Sequence, residues 1–248
     1  MLAVAGFVAA EEEAAELLGA ARGDAARLAG LVSRRLSGEP LAWIVGSVEF
    51  CGLSLFVAPG VYVPRWQSEP LARRAAALLP PHGVAVDVCT GAGAVAAVLV
   101  AHRPAARVVA SDIDPLAVAC ARENGVEAYL GDLTAPIPAQ LRGRVDVISA
   151  VVPYVPAEEL HLLARDVLAF EGHRSLDGGP GGTRDLVRVA TEARKWLAPG
   201  GALLLELGGD QGEELRRCCA RLGYGDVTLM HDEEGDVRAI EAHLGRSR

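Results

Sequence analysis

Asp87-Val-Cys-Thr-Gly-Ala-Gly-Ala94 decides how this chain is read. The apolar run Val84 to Val86 leads into it, and the helix-like run Val95 to Val100 leads out. A strand, a tight glycine turn and a helix in that order form a cradle for a nucleotide-type ligand, because the turn and the first amides of the helix face whatever sits at the strand's end. Gly91 and Gly93 matter because a side chain at either place would block close approach of a ligand to the backbone. Asp87 stands at the carboxyl end of the strand, where its oxygens can accept from an ammonium or a hydroxyl. Glycine turns also serve purely structural ends, so this one needs support from elsewhere in the chain.

That support comes one unit later, in Arg107-Val-Val-Ala-Ser-Asp112-Ile-Asp114-Pro115. An apolar strand ends in an acid about 20 residues beyond the glycines, the distance at which a carboxylate holds a ribose diol. Asp112 takes that part because it directly follows the strand, whereas Asp114 reads as the N-cap of a helix opened by Pro115. After the short strand Glu127 to Leu130 comes Gly131-Asp132-Leu133, where an acid can meet an adenine amino group. Three such strand ends lie on one sheet edge, and together they predict a cofactor site.

Dinucleotide folds use G-x-G-x-x-G, and here the third glycine position is Ala96, a replacement those folds tolerate. The initial Asp87, the D-x-x-x-G-x-G spacing and the later Gly-Asp pair instead resemble class I methyltransferases. That resemblance implies S-adenosyl-L-methionine as cofactor and S-adenosyl-L-homocysteine as product.

The flanking segments narrow the resemblance. Gly38-Glu-Pro-Leu-Ala-Trp-Ile-Val-Gly46, Val48-Glu-Phe-Cys-Gly-Leu53 and Val61-Tyr-Val-Pro-Arg-Trp-Gln-Ser-Glu69 are similar to the segments that precede the cofactor domain in the HemK/PrmC family of protein-(glutamine-N5) methyltransferases, which modify peptide-release factors. Glu171-Gly-His-Arg-Ser-Leu-Asp-Gly-Gly179 and Leu197-Ala-Pro-Gly-Gly-Ala-Leu-Leu-Leu-Glu-Leu-Gly208, with Gln211, resemble it too, so the likeness runs from Gly38 onward. It implies that Cys89, Thr90, Gly91, Ala92 and Gly93 line the donor, that Asp112 and Ile113 lie at the ribose, and that Asp132 and Leu133 lie beside the adenine. Arg65 matches a position at the mouth of the donor pocket and can meet a carboxylate, or it is a surface arginine on a turn. Cys89 stands where the family has glycine, which is tolerable if its φ is negative.

The chemical signature departs from the family. Asn-Pro-Pro-Tyr follows the fourth strand there; here Val145-Asp-Val-Ile-Ser-Ala150 is followed by Val151, Val152, Pro153 and Tyr154. An amide nitrogen is a poor nucleophile because its lone pair is delocalised, and the motif's carbonyls accept its N–H bonds and aim it. Val151 has no side-chain acceptor. Val152 keeps its backbone carbonyl but loses the ring that fixes φ, while Pro153 and Tyr154 still supply a turn and an aromatic wall. Losing one well-placed transition-state hydrogen bond costs about 3 to 4 kcal/mol, a hundred- to a thousandfold in rate. A less polar acceptor, or one with its own nucleophilicity such as an amine, phenolate or carboxylate, suits the site better.

At 248 residues and 51% hydrophobic content, one sizeable core is expected, burying roughly 70 to 75% of the unfolded surface. A formal net charge of −8 argues against a general nucleic-acid binder, which would need a basic field. The five cysteines form no C-x-x-C pair, so neither a disulfide framework nor a zinc site is indicated and a reducing cytoplasm is expected. The apolar start Met1 to Ala10 lacks a basic stretch and runs into Glu11-Glu-Glu13, unlike a signal peptide, and no run approaches the roughly 20 apolar residues of a membrane span. A single lysine among many arginines, with abundant Ala and Gly, suggests a GC-rich bacterial genome.

The pattern divides into a short helical segment at 1–37, a linker with a hairpin at 38–67 and a cofactor domain at 68–248. Helical patterns cover Ala9 to Leu18 and Asp24 to Leu36, and Val48 to Val57 reads as a hairpin about Cys51-Gly52. The segment 1–37 is too small for its own core and is expected to pack on the main domain; it is shorter than the family's helical domain, which again questions a release-factor partner. Strands at Val84 to Val88, Val108 to Ser111, Glu127 to Leu130, Val145 to Ser149 and Ala202 to Leu207 alternate with helices. A final hairpin, Asp226 to Met230 and Val237 to His243, completes an α/β fold: a mostly parallel, Rossmann-like seven-stranded sheet with helices on both faces. Trp43 reads as core, Trp66 as a new aromatic face at the acceptor site, and Glu158-Glu159 as the start of a helix. The histidines show no metal spacing.

Three functions remain open: a methyltransferase for a small-molecule or other non-glutamine acceptor, a protein-glutamine methyltransferase that tolerates Val151, and a cofactor-binding protein with lost or altered chemistry. The loop Val152 to Ala169 and the N-terminal arm, which shape the acceptor pocket, carry no readable code.

Overall fold

Asp24 caps its helix as a short acid does, accepting at Oδ1 from the backbone N–H of Ala26 (2.8 Å) and Arg27 (3.0 Å). In the computed structural model, which describes residues 1–163 and 165–245, α1 (Ala10–Ala21) and α2 (Ala25–Leu36) lie against each other and on α3 (Leu41–Val45). Leu2, Leu17, Ala21 and Leu31 bury a small apolar cluster together with Ile44 of α3. Residue 164, inside the expected acceptor loop, and residues 246–248, at the end of the expected cofactor domain, lie outside the described residues.

The hairpin pairs β1 (Ser47–Phe50) with β2 (Leu53–Phe56), Val48 opposite Leu55. Its two-residue turn needs positive φ at both positions, found at Cys51 (51°) and Gly52 (79°). Phe50 points into the core and Trp43 is buried, its Nε1–H donating to the Val61 carbonyl (2.9 Å).

The main unit runs α4 (Glu69–Leu78), β3 (Val84–Val88), α5 (Ala94–His102), β4 (Arg107–Asp112), α6 (Pro115–Glu123), β5 (Glu127–Leu130), β6 (Val145–Ala150), α7 (Arg165–Phe170), α8 (Arg184–Ala193), β7 (Leu197–Glu206), α9 (Gln211–Arg221), β8 (Tyr224–His231) and β9 (Val237–Leu244). The sheet order is β5-β4-β3-β6-β7-β9-β8, with β3 to β7 parallel and β9 antiparallel to both neighbours. Period-two alternation splits the core between the two faces. Val86, Val88, Ile148, Leu203 and Leu205 face α8 and α9 in one cluster, while Ala85, Val108, Val147 and Leu204 face α4 and α5 in the other. The chain steps from β3 to β5 on one side and resumes with β6 on the other, so the crevice opens at the carboxyl ends of β3 and β6.

Two expected boundaries move. The strand expected from Ala202 starts at Leu197: Leu197 already pairs with Val145, the residues 198–201 bulge out with Gly200 at a φ of 85°, and pairing resumes with Ala202 opposite Val147. Glu158 and Glu159 do not begin an α-helix. Glu159 precedes a short 3₁₀ turn at Leu160–Leu162, and Glu158 is drawn away to accept from the Gly181 N–H (3.1 Å).

Candidate active site

A cavity of about 220 Å³ opens at the carboxyl ends of β3, β4 and β6, with Asp87, Gly91, Asp112, Val151 and Tyr154 among its lining residues. The glycine turn shapes its floor. Thr90 N–H donates to the Ser111 carbonyl (3.1 Å) and Gly93 N–H to Thr90 (2.8 Å), with φ of 55° at Gly91 and 82° at Gly93. The two glycines do different jobs. A Cβ on Gly93 would stand 2.9 Å from the Ala121 methyl on α6, so this glycine lets α5 start against its neighbour. A Cβ on Gly91 would meet nothing within 4 Å; that side of the turn is open space along the cavity wall.

Cys89 corrects an expectation. Its φ is +54°, not negative, so the turn keeps the left-handed geometry suited to glycine and the cysteine bears the strain. Its side chain packs against the core under α8, and burial pushes the thiol well above its ordinary value.

Asp87 is 2% exposed yet lines the cavity. The Thr90 hydroxyl donates to Oδ2 (2.6 Å) and the Ser149 hydroxyl to Oδ1 (2.7 Å). Burial outweighs these donors and pushes the carboxyl up to about 6. Asp112 accepts from Gly91 N–H at Oδ2 (2.8 Å) and from Asp114 N–H at Oδ1 (3.0 Å), while Asp114 caps α6 through Leu116 N–H (2.8 Å). Burial raises Asp112 also, with the two backbone N–H groups offsetting part of it.

The segment after β6 forms the opposite wall. Val151 is half-buried in it, Val152 is buried, and Pro153 and Tyr154 follow. The Tyr154 hydroxyl donates to Glu206 Oε1 (3.0 Å), and burial together with the Glu206 charge raises its ionisation far above that of a free phenol.

The cavity gathers Asp87, Cys89, Thr90, Gly91, Ala92, Asp112, Ile113, Val151, Val152, Pro153, Tyr154 and Arg65. Gly93 sits just behind it. Asp132 and Leu133 do not line it: Asp132 is bound by Arg188 (2.6 Å), and Leu133, at φ 44°, is buried with its carbonyl accepting from Ser111 Oγ (2.6 Å). Arg65 is committed to Glu171 and lies over the Tyr62 ring at 5.1 Å. Trp66, expected at the acceptor site, is 70% exposed and lines a neighbouring cleft with Glu16, Arg35 and Glu49. Trp66 opens a 3₁₀ turn, Trp66–Ser68, whose last residue, the buried Ser68, lines the cavity in its stead.

Sequence reasoning assigned no role to Phe50, Tyr62, Glu171, Ser175 or Leu176, which also line the cavity. Their segments carried the family likeness, and that was the available signal. Among the described residues no group of His, Cys, Asp and Glu is arranged to hold a metal, and no helix is long and apolar enough to cross a membrane.

Residues 71–136 match the family model "Methyltransferase small domain". Release factor glutamine methyltransferases of Geobacter sulfurreducens and Salmonella typhimurium are 34% and 38% identical over 222 and 217 residues, covering 87% and 86% of this chain and 77% and 78% of theirs. Among solved structures, a methyltransferase of Pyrococcus furiosus superposes with a TM-score of 0.53 at 22% identity, covering 86% of this chain and 98% of that one. A T. thermophilus 16S rRNA methyltransferase in complex with AdoMet and guanosine gives 0.53 at 18% identity, covering 81% of this chain and 45% of that one. These two likenesses concern the fold: a Rossmann-like methyltransferase sheet.

Proposed function

The chain belongs to the release factor glutamine methyltransferase family, and on that footing we propose that this S-adenosyl-L-methionine-dependent methyltransferase acts on an acceptor other than a glutamine amide. The observation that carries the proposal is Val151 in the cavity wall, at the position where the family's Asn accepts the amide N–H bonds. A glutamine amide set there would keep a polar group without its partner, at about 1 to 3 kcal/mol. Val152 and Pro153 continue the apolar surface, and the aromatic rings of Tyr62 and Tyr154 flank it. An amine, phenolate or carboxylate supplies its own nucleophilic lone pair and needs no side-chain oxygen to localise one.

The residues present fit the donor. Open space beside Gly91 leaves room for close backbone approach, and a buried carboxyl, Asp87, borders the same cavity. When bound, S-adenosyl-L-methionine supplies an electrophilic methyl group on a positively charged sulfur. The turn Cys89 to Gly93 would cradle it, Asp112 would accept from the ribose hydroxyls with Ile113 beside them, and Asp87 would face the cationic end. Leu133 holds the end of β4 through the Ser111 hydroxyl, while Asp132 is turned to Arg188 at the surface.

A second reading, methylation of a release-factor glutamine in the cytoplasm, is favoured by the names of the relatives at 34 to 38% identity. Mass spectrometry separates the two. Incubation with donor and a Gly-Gly-Gln peptide is expected to add no methyl group, while a panel of small amines, phenols and carboxylic acids yields a product 14 Da heavier, the mass of a methylene. Efficient methylation of the peptide would overturn the non-glutamine reading.

A further inference from the structure

Tyr154 is gripped at both ends by residues more than fifty positions away. Its hydroxyl donates to Glu206 Oε1 (3.0 Å), and its carbonyl accepts from Gln211 Nε2 (2.7 Å) at the start of α9. The same Gln211 nitrogen donates to the Gly181 carbonyl (3.1 Å), and Gln211 Oε1 accepts from Gly208 N–H (3.1 Å), so one buried amide ties three loops together. The surrounding backbone leaves no slack. A Cβ on Gly208 would stand 3.2 Å from Tyr154 Cε2, and one on Gly182 would collide with the Tyr154 carbonyl and the Gln211 amide.

These contacts are not needed to build the sheet. Pairing of β6 with β7 ends at Ala150 opposite Leu205, one residue before Glu206, and Glu206 already pairs with Ala239 on its other side. Keeping a carboxyl buried there opposes stability, since desolvation disfavours it and a leucine would not carry that cost. What the carboxyl and the amide do share is Tyr154, the aromatic wall of the acceptor side of the cavity.

We propose that Glu206 and Gln211 are positioning residues for methyl transfer: from the β7–α9 turn they fix the ring and the backbone of Tyr154 beside the place of the transferred methyl. This rests on the reading of the cavity as the donor site. The acceptor-side geometry is then set by the end of the sheet, not by the four-residue motif itself.

Calorimetry with two donor analogues tests this without an acceptor. S-adenosyl-L-homocysteine reports the donor half alone, whereas sinefungin carries an amine where the methyl sulfonium would be and so probes the space beside Tyr154. Glu206→Leu and Gln211→Leu are expected to weaken sinefungin about fivefold or more, the size of one cation–π or hydrogen-bond contact, with S-adenosyl-L-homocysteine within about twofold of wild type. Glu206→Gln keeps an acceptor for the Tyr154 hydroxyl and is expected to bind both normally. Gly208→Ala leaves both positioning residues intact but pushes on the ring, and it is expected to show the same selective loss even if Glu206→Leu fails to fold. Parallel loss of both analogues, or an unmoved sinefungin affinity, overturns the proposal. Wild-type protein that binds neither analogue overturns the donor-site reading itself.

Discussion

Asp112 and Gly91 are joined across the cradle: the carboxylate at the end of β4 accepts the N–H of the turn that follows β3, at 2.8 Å. One carboxylate therefore holds the glycine turn in shape and, on the proposed reading of the cavity, is also the one that would meet the ribose hydroxyls. Replacing Asp112 with Ala removes both roles and is expected to lower S-adenosyl-L-homocysteine affinity about ten- to a hundredfold, the worth of a hydrogen bond to a charged group. Calorimetry giving a change below about twofold would remove Asp112 from the donor site.

Asp87 is expected to make donor binding depend on pH. With its carboxyl pushed up to about 6 from an ordinary 3.8, the folded protein holds a proton that the unfolded chain has released between those values. Its contribution to stability is therefore full below pH 3.8 and is lost as pH rises through 6. The ionised form is the one that attracts a cation, so donor affinity is expected to rise from pH 5 to pH 7.5. Asp87→Asn should flatten that rise and, at neutral pH, stabilise the ligand-free protein by about 1 to 3 kcal/mol in urea unfolding. An unchanged pH profile in the variant would show that another group governs binding.

Val151→Asn restores a side-chain oxygen at the cavity wall. Transfer to a Gly-Gly-Gln peptide is expected to rise about a hundred- to a thousandfold over the parent, the value of one aligned transition-state hydrogen bond. No gain in peptide methylation, read by mass spectrometry, would mean that this position does not decide whether a glutamine amide is accepted.

Two substitutions in the turn are expected to part ways. Gly93→Ala drives a methyl group to 2.9 Å from Ala121 at a φ of 82°, and should cost about 2 to 4 kcal/mol of stability. Cys89→Gly relieves left-handed strain but gives up packing and frees the unfolded chain, terms of about 1 kcal/mol each that oppose one another, so its unfolding midpoint should barely move. The half-buried Cys89 thiol, pushed upward by desolvation, is expected to react slowly with maleimide in the native protein.

The sheet was legible because its strands carry their own signature. Val84 to Val88, Glu127 to Leu130 and the last hairpin are short apolar runs between turn residues, and the structure places each within a residue or two of expectation. The strand was expected only from Ala202 because local chemistry does not announce that Leu197 pairs with β6 ahead of a bulge at Pro199 and its glycines. The side of the cavity proposed for the donor follows from local motifs, since Asp87 and Asp112 are both set by the strands that carry them. The acceptor half does not. Whether Trp66 faces in or out depends on the local backbone turn at Trp66–Ser68, and on the adenine side too Asp132 turns to Arg188, a partner more than fifty residues away that no local motif announces. The left-handed φ of Cys89 was hidden for a related reason: side-chain type biases backbone geometry, and the fold overrode that bias here.

Asn124 sits just beyond α6, where its side chain accepts from Phe56 N–H (2.8 Å) and donates to the carbonyls of Phe56 (2.9 Å) and Ala92 (2.8 Å). A single amide thereby gears the hairpin ahead of the catalytic sheet to the rim of the glycine turn. A ligand that stiffens the turn is expected to quiet the hairpin as well, so slowed hydrogen exchange at the Phe56 N–H would serve as a remote gauge of occupancy.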